Sequence, residues 1–244
     1  MPSAPQVKVF DSPQELFRGA AEKFCEFGRR CIQEHGRFTV ALSGGSTPRG
    51  LHQELVTSFS SELSWKDVFF FWGDDRHVPP DDADSNYRMA NETLLSKLSI
   101  PQDHIFRIAT ELPDAGEAAR LYEQTVRDFF HPAAGSFPRF DFVLLGMGPD
   151  GHTASLFPGK PALDEQQAWV TEVPVPGLNP QVPRVTLTYP ALASAGSVAF
   201  VAAGADKKAM MDRVLAGDRD LPSARVKSNG ELIWFVDKAA RGEG

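Results

Sequence analysis

The chain is short of the features that mark several common protein classes. It has only two cysteines, Cys25 and Cys31, in 244 residues. Their spacing within a predicted helix fits neither a zinc knuckle nor a redox pair, so two reduced, mostly buried thiols are expected. No apolar run approaches the roughly 18 residues of a membrane-spanning helix, and the opening MPSAPQVKVF lacks a basic stretch followed by a long apolar segment. Positive charge is also scarce, with 25 Lys and Arg against 32 Asp and Glu and a formal net charge of −7. That balance argues against nucleic acid or an anionic membrane as partner, because either favours a basic face. A soluble cytoplasmic protein, monomeric or weakly dimeric, is the expectation, and an anionic ligand would need positive charge concentrated locally. Neither an HxxxH nor an HxH ligand pair occurs, which weighs against a metal centre built from Asp74, His77, Asp150 and His152.

What the chain does contain is a regular alternation of short apolar runs and amphipathic stretches. With 42% apolar residues it can bury one substantial core, and residues 1–244 read as a single domain. Ser12, Pro13 and Glu15 supply an N-cap, a first-turn proline and a capping-box acid, predicting a helix to about Gln33. Strands are expected at Phe38 to Leu42, Val68 to Trp72, Ile105 to Ile108, Phe140 to Leu145, Val185 to Thr188, Val198 to Ala202 and Leu232 to Val236. Runs such as VFFFW, FDFVLL and SVAFVAA are apolar throughout, as suits strands covered on both faces in a mostly parallel sheet. Further helices are expected at roughly Pro48 to Thr57, Asn86 to Leu98, Pro113 to Phe130, Lys207 to Leu215 and Val236 to Ala240. This order is that of a doubly wound, Rossmann-like α/β fold, whose ligands bind beyond the carboxyl ends of the strands. The proline-rich VPVPGLNPQVP from Val173 to Pro183 reads as a flexible surface crossover.

Several loops at predicted strand ends carry chemistry. Ser43-Gly44-Gly45-Ser46-Thr47-Pro48 turns tightly on two glycines and opens a helix, whose first amides would hold a phosphate with help from the Ser46 and Thr47 hydroxyls. The lysine of a GxxxxGK[ST] nucleotide loop is missing, so a small phosphorylated molecule fits better than ATP. Gly73-Asp74-Asp75-Arg76-His77 puts two carboxylates beside an arginine suited to bidentate anion contacts, although a solvated acidic turn is the plainer alternative. Phe140 to Gly159, FDFVLLGMGPDGHTASLFPG, runs a buried strand into a glycine-broken loop presenting His152. A histidine fixed there can stay neutral near pH 7 and take a proton from water. His35, His52, His104 and His131 lack such a setting and read as surface or packing residues. Arg184, opening RVTLT, and Lys207, in GADKK, supply the local cations an acidic chain needs for an anion.

In order and spacing, SGGSTP, FFWGDDRHV, LLGMGPDGHTASLFPG, PRVTLT and VAAGADKKA resemble the 6-phosphogluconolactonases over almost the whole chain. The resemblance implies a three-layer α/β sandwich shared with glucosamine-6-phosphate deaminases and ribose-5-phosphate isomerase. It also implies hydrolysis of 6-phosphoglucono-1,5-lactone to 6-phosphogluconate, a step of the pentose phosphate pathway, with no metal or organic cofactor. Carried over by motif, His152 is the general base, Asp74 the carboxylate beside it that stabilises the imidazolium, and Arg76 and Lys207 the cationic substrate contacts. Local chemistry adds Gly44, Gly45, Ser46, Thr47 and Arg184 as substrate-binding residues. Asp75 departs from the family, which commonly has glutamate there. A deaminase or isomerase on the same scaffold would continue after DGH with an isoleucine-containing segment and a glutamate, whereas no acid lies between His152 and Gly159. A non-catalytic phosphosugar sensor would normally bring a DNA-binding helix-turn-helix, and none is evident.

Overall fold

The all-apolar runs pair side by side. In the computed structural model, which describes residues 5–243, they belong to one parallel sheet. The strands are β1 (Gln6–Phe10), β2 (Phe38–Leu42), β3 (Val68–Trp72), β4 (Asp74–Arg76), β5 (Phe142–Leu145), β6 (Val170–Val173), β7 (Arg184–Leu187), β8 (Ser197–Ala202) and β9 (Glu231–Asp237). The helices are α1 (Pro13–His35), α2 (Ser46–Ser58), α3 (Asn86–Thr93), α4 (Ala115–Phe130), α5 (Tyr189–Ala193), α6 (Lys208–Leu215), α7 (Pro222–Arg225) and α8 (Lys238–Arg241). Six strands form one sheet in the order β1-β9-β8-β5-β2-β3, parallel at every pairing and flanked by helices on both sides. β2, β5 and β8 are buried at every position, which is why their sequences show no polar alternation. A second sheet, β4-β7-β6, is antiparallel. Apolar side chains from both sheets join one hydrophobic cluster.

α1 shows how sequence sets an element here. The Ser12 hydroxyl accepts from the Glu15 amide at 3.2 Å, while the Glu15 carboxylate accepts from the Asp11 amide at 3.1 Å. Leu16, Ala20, Phe24, Phe27 and Cys31 recur at helical spacing and are buried. Phe24 and Phe27 meet Phe38 of β2 and Phe142 of β5 with ring centroids 5.1 to 6.4 Å apart. Gly36, at φ 80°, closes the helix in a left-handed cap after His35, two residues beyond the predicted Gln33. Both cysteines are free and buried, and burial pushes each thiol up to about 12.

Several expected elements differ. Ile105 to Ile108 is not a strand. A 3₁₀ turn at Gln102–His104 precedes a single parallel bridge from Ile105 to Phe70, and the chain then leaves as Phe106 stacks on Phe71 at 4.7 Å. Asp74 to Arg76 is not an irregular loop but β4, paired with β7. β1 and β6 lie outside the expected strands. The 173–183 segment joins the antiparallel neighbours β6 and β7, so it is a hairpin loop rather than a crossover, and it contains a cis Asn179–Pro180 bond. The helix expected to reach Leu98 ends at Thr93 and gives way to a 3₁₀ turn at Leu95–Lys97. α4 begins at Ala115, not Pro113, because the Asp114 carboxylate accepts from the Glu117 amide at 2.9 Å. Val236 and Asp237 belong to β9, and Asp237 then caps α8.

Candidate active site

The strand order reverses at β2. The chain steps outward from β2 to β3, then returns to β2's other side as β5 and continues to β8 and β9. Loops leaving the carboxyl ends of β2 and β5 diverge at such a switch point and leave a crevice. A cavity of about 170 Å³ opens there, lined by Gly44 to Thr47 after β2, Asp74 and Arg76 after β3, His152 after β5 and Lys207 after β8. An adjoining recess of about 380 Å³ shares Asp74, Arg76 and His152 and adds Arg184 and Asn179.

The start of α2 lines one side of this cavity. The helix begins at Ser46, with Gly45 as N-cap at φ 104°, a conformation that favours glycine. No side chain caps this 13-residue helix, so its leading amides and the positive end of its dipole face the cavity. Lys207 lines the same cavity and follows Gly204, whose amide donates to both Asp237 carboxylate oxygens at 3.1 Å. Lys207 forms an ion pair with Asp206 at 3.0 Å.

The second wall is built by strand pairing. The Tyr122 hydroxyl accepts from the Trp72 amide at 2.7 Å and donates to the Trp72 carbonyl at 3.0 Å, fixing the end of β3. β4 then runs antiparallel to β7, so Arg76 stands opposite Arg184 and Asp74 opposite Thr186. Arg76 Nη1 donates to the Asp84 carbonyl at 2.6 Å, and Arg184 Nη2 to the Pro180 carbonyl at 2.9 Å. Arg184 is buried, and its Nε has no partner among the described residues. Burial, reinforced by the neighbouring Arg76 charge, lowers its pKa. Two adjacent guanidiniums with unspent donors can donate to an anion or a carbonyl oxygen.

The expected pairing of His152 with Asp74 is not what the structure contains. His152 Nδ1 lies 2.5 Å from Asp150 Oδ1, and the same oxygen accepts from the His152 amide at 3.1 Å. An Asx turn thus folds Asp150 back onto the ring two residues on. Burial would raise the Asp150 carboxyl, but hydrogen bonds from the His152 ring and backbone outweigh it and hold the group below the ordinary carboxylate value. An ionised carboxylate only accepts, so in the neutral ring Nδ1 carries the hydrogen and Nε2 the lone pair. Nε2 has no protein partner among the described residues. Phe157 backs the ring with centroids 4.4 Å apart. A Cβ at Gly148 would fall 2.0 Å from the imidazole, so a side chain there would displace the ring.

Asp74 is committed elsewhere. Its Oδ2 accepts from Ser155 Oγ at 2.7 Å, and its carbonyl accepts from Asn86 Nδ2 at 3.0 Å. Ser155 follows Ala154, held at φ 45° on the cavity wall. A left-handed alanine costs about 1 kcal/mol, strain of the kind that gathers at functional sites. Asp75 points away from the cavity. Its carboxylate accepts from the amides of Asn86 at 2.7 Å, Arg76 at 2.8 Å and Tyr87 at 3.1 Å, clamping the start of α3. Burial nevertheless pushes it up to about 6. The shorter side chain at this position is therefore a structural anchor.

The structure brings Gly44, Gly45, Ser46, Thr47, Asp74, Arg76, His152 and Lys207 to one cavity and Arg184 to its annex. Asp150, Ser155 and Asn86 were not assigned from sequence. Aspartate two residues before a loop histidine, with glycine between, was the available signal for Asp150. Asn86 Oδ1 is buried without a partner among the described residues and packs against Gly44, a contact between distant segments with no local signal. Among the other histidines, His52 is fully buried, where burial lowers it to about 3, and His104 stacks on Phe69 at 3.8 Å.

A family model described as glucosamine-6-phosphate isomerases/6-phosphogluconolactonase matches residues 11–234. A 6-phosphogluconolactonase from Nostoc is 42% identical over 215 residues, 87% of each chain. The solved 6-phosphogluconolactonase of Thermotoga maritima superposes with a TM-score of 0.84 at 30% identity, covering 96% of this chain and 100% of that one. A monomeric glucosamine-6-phosphate deaminase shares the fold, with a TM-score of 0.81 at 20% identity over 98% of this chain and 100% of its own.

Proposed function

Because the chain belongs to the glucosamine-6-phosphate isomerase/6-phosphogluconolactonase family, we propose that it hydrolyses 6-phosphoglucono-1,5-lactone to 6-phosphogluconate with His152 as general base. The observation that carries this reading is the Asp150–His152 pair, opening on the same cavity as the uncapped start of α2 and Lys207. An anion anchor and a proton acceptor share one crevice. The phosphate lies between the α2 amides and Lys207, and the lactone carbonyl is presented to a water beside Nε2. His152 takes a proton as that water adds to the carbonyl carbon. The tetrahedral intermediate then expels the ring oxygen, which receives the proton from the imidazolium. Asp150 stabilises the transient imidazolium, and Asp74, held by Ser155, orients a substrate hydroxyl. The Gly148 amide is engaged by the His152 carbonyl at 2.9 Å, which favours Arg76 as donor to the oxyanion. General-base catalysis of this kind contributes about 10²- to 10⁴-fold, adequate for an already activated ester. A reducing, cytoplasmic setting is part of the reading, supported by two unpaired thiols. No helix of the described residues is long and apolar enough to cross a membrane.

The test is a coupled assay. Lactone is generated with glucose-6-phosphate dehydrogenase and its disappearance followed, in parallel with ammonia release from glucosamine 6-phosphate. Lactone loss without ammonia supports the reading, and the reverse pattern overturns it. His152→Ala should lower kcat by about 10²- to 10⁴-fold while 6-phosphogluconate binding persists, and unchanged turnover would remove the base assignment.

A further inference from the structure

At the opposite, amino-terminal ends of β2 and β5, a second cluster of side chains lies well apart from the cavity just described. Cys31, His35 and Asp141 each offer one ligand atom, and the three atoms lie within 4.8 Å of one another. We propose that these residues form a binding site for a single divalent transition-metal ion of the zinc class.

Position and chemistry both support it. Cys31 and His35 stand one turn apart on α1, where residues four apart share a face. Asp141 comes from the residue just before β5. Its Oδ2 accepts from the Thr39 amide and from Thr39 Oγ1, both at 2.8 Å, and its own amide donates back to Thr39 Oγ1 at 2.9 Å. That grip fixes the carboxylate and aims Oδ1 at His35 Nε2, 3.3 Å away. A tetrahedral ion with metal–nitrogen and metal–oxygen bonds of about 2.0 to 2.1 Å separates two such ligands by roughly 3.3 Å. The hydrogen-bonded carboxylate behind the ligands is the outer support that metal sites normally carry. Thiolate, imidazole and carboxylate together select a zinc-like ion over magnesium or calcium, which prefer all-oxygen shells.

The surroundings define the coordination. The cluster opens on a cleft of about 550 Å³ whose walls include Phe27, Phe130, Arg30, Arg37 and Arg139. Three protein ligands with open space beyond leave the fourth position to water or an exogenous ligand. The arginines oppose a bare dication, but thiolate and carboxylate neutralise it, so the guanidiniums favour an anion at that fourth position. On binding, the Cys31 thiol proton is released to solvent as the sulfur–metal bond forms. The rival account is a hydrogen-bonded clamp of Cys31, His35, Asp141 and Thr39 joining the end of α1 to β5, in which the thiol only donates to the Asp141 carboxylate and stays protonated.

Cobalt(II) distinguishes the two, because a thiolate ligand gives a near-ultraviolet charge-transfer band. Untagged, metal-free, full-length protein titrated with cobalt should develop that band at one ion per chain and lose it on adding zinc. Cys31→Ser should abolish the band and weaken binding by more than about 100-fold, and Thr39→Val by about 10-fold. Cys25→Ser should behave as wild type. Far-ultraviolet circular dichroism of each metal-free variant checks that it is folded, and zinc should raise the melting temperature of the wild type but not of Cys31→Ser. Absence of the band in the wild type at millimolar cobalt, or equal affinity in wild type and Cys31→Ser, would overturn the proposal.

Discussion

Replacing Asp150 by asparagine and by alanine separates charge from orientation at the base. Both hydrogen bonds that tie His152 to Asp150 end on the same oxygen, Oδ1. Asparagine can therefore keep both contacts through its own carbonyl oxygen and preserve the ring's tautomer, losing only the negative charge. A hydrogen bond to a charged group is worth about 1.5–3 kcal/mol and a neutral one about 0.5–1.5 kcal/mol. The difference of about 1–2 kcal/mol, felt when the ring becomes an imidazolium, predicts a fall in kcat of about 5- to 30-fold for Asp150→Asn. Alanine removes the contact as well and lets the ring turn, so its loss should approach the roughly 10²- to 10⁴-fold that a positioned base contributes. The measurement is steady-state lactone consumption at saturating substrate, with melting temperature as a control for folding. Asp150→Ala at wild-type turnover would refute the reasoning. So would Asp74→Asn abolishing turnover while Asp150→Ala retains it, because the charge partner would then be the other acid.

Two further outcomes follow from the same geometry. Lys207→Ala removes the ammonium that shares a cavity with the start of α2 and should raise KM by about 10- to 100-fold, the worth of one charged hydrogen bond, with kcat little changed; an unaltered KM would remove Lys207 from the anchor. Asp75 is raised to about 6 by burial, so the folded protein holds this proton more tightly than the unfolded chain does. Its contribution to stability is therefore full below the unfolded value and declines as pH rises to about 6, by at most about 3 kcal/mol. The stability difference between wild type and Asp75→Asn, from urea unfolding across that window, should shrink as pH rises. A constant difference would show that Asp75 titrates normally.

The parts of the fold visible in the sequence were those whose burial is symmetrical. VFFFW, FVLL and SVAFVA are largely covered on both faces, so composition alone marks them as buried strands. β1, β4 and β6 have no such signature. Gln6–Phe10 is an edge strand with Val7 and Val9 exposed, and Asp74–Arg76 is a strand only because β7 lies beside it. The crevice was legible because its loops all follow strand ends, and their glycines announce turns and close approaches. The partner of His152 was not. Choosing between Asp74 and Asp150 depends on the direction of one side chain within an Asx turn, and the Ser155 hydroxyl that occupies Asp74 is remote in the chain. The Cys31, His35 and Asp141 cluster was hidden for the same reason, since its third member stands just before β5, remote in the chain from α1.

The facing of Arg76 and Arg184 across β4 and β7 reaches beyond the site itself. Strand register forces two like charges together, and one of them is buried. Register alone thus sets two guanidiniums side by side at the mouth of the crevice, and the carboxylates of Asp74, Asp75 and Asp84 offset part of their repulsion.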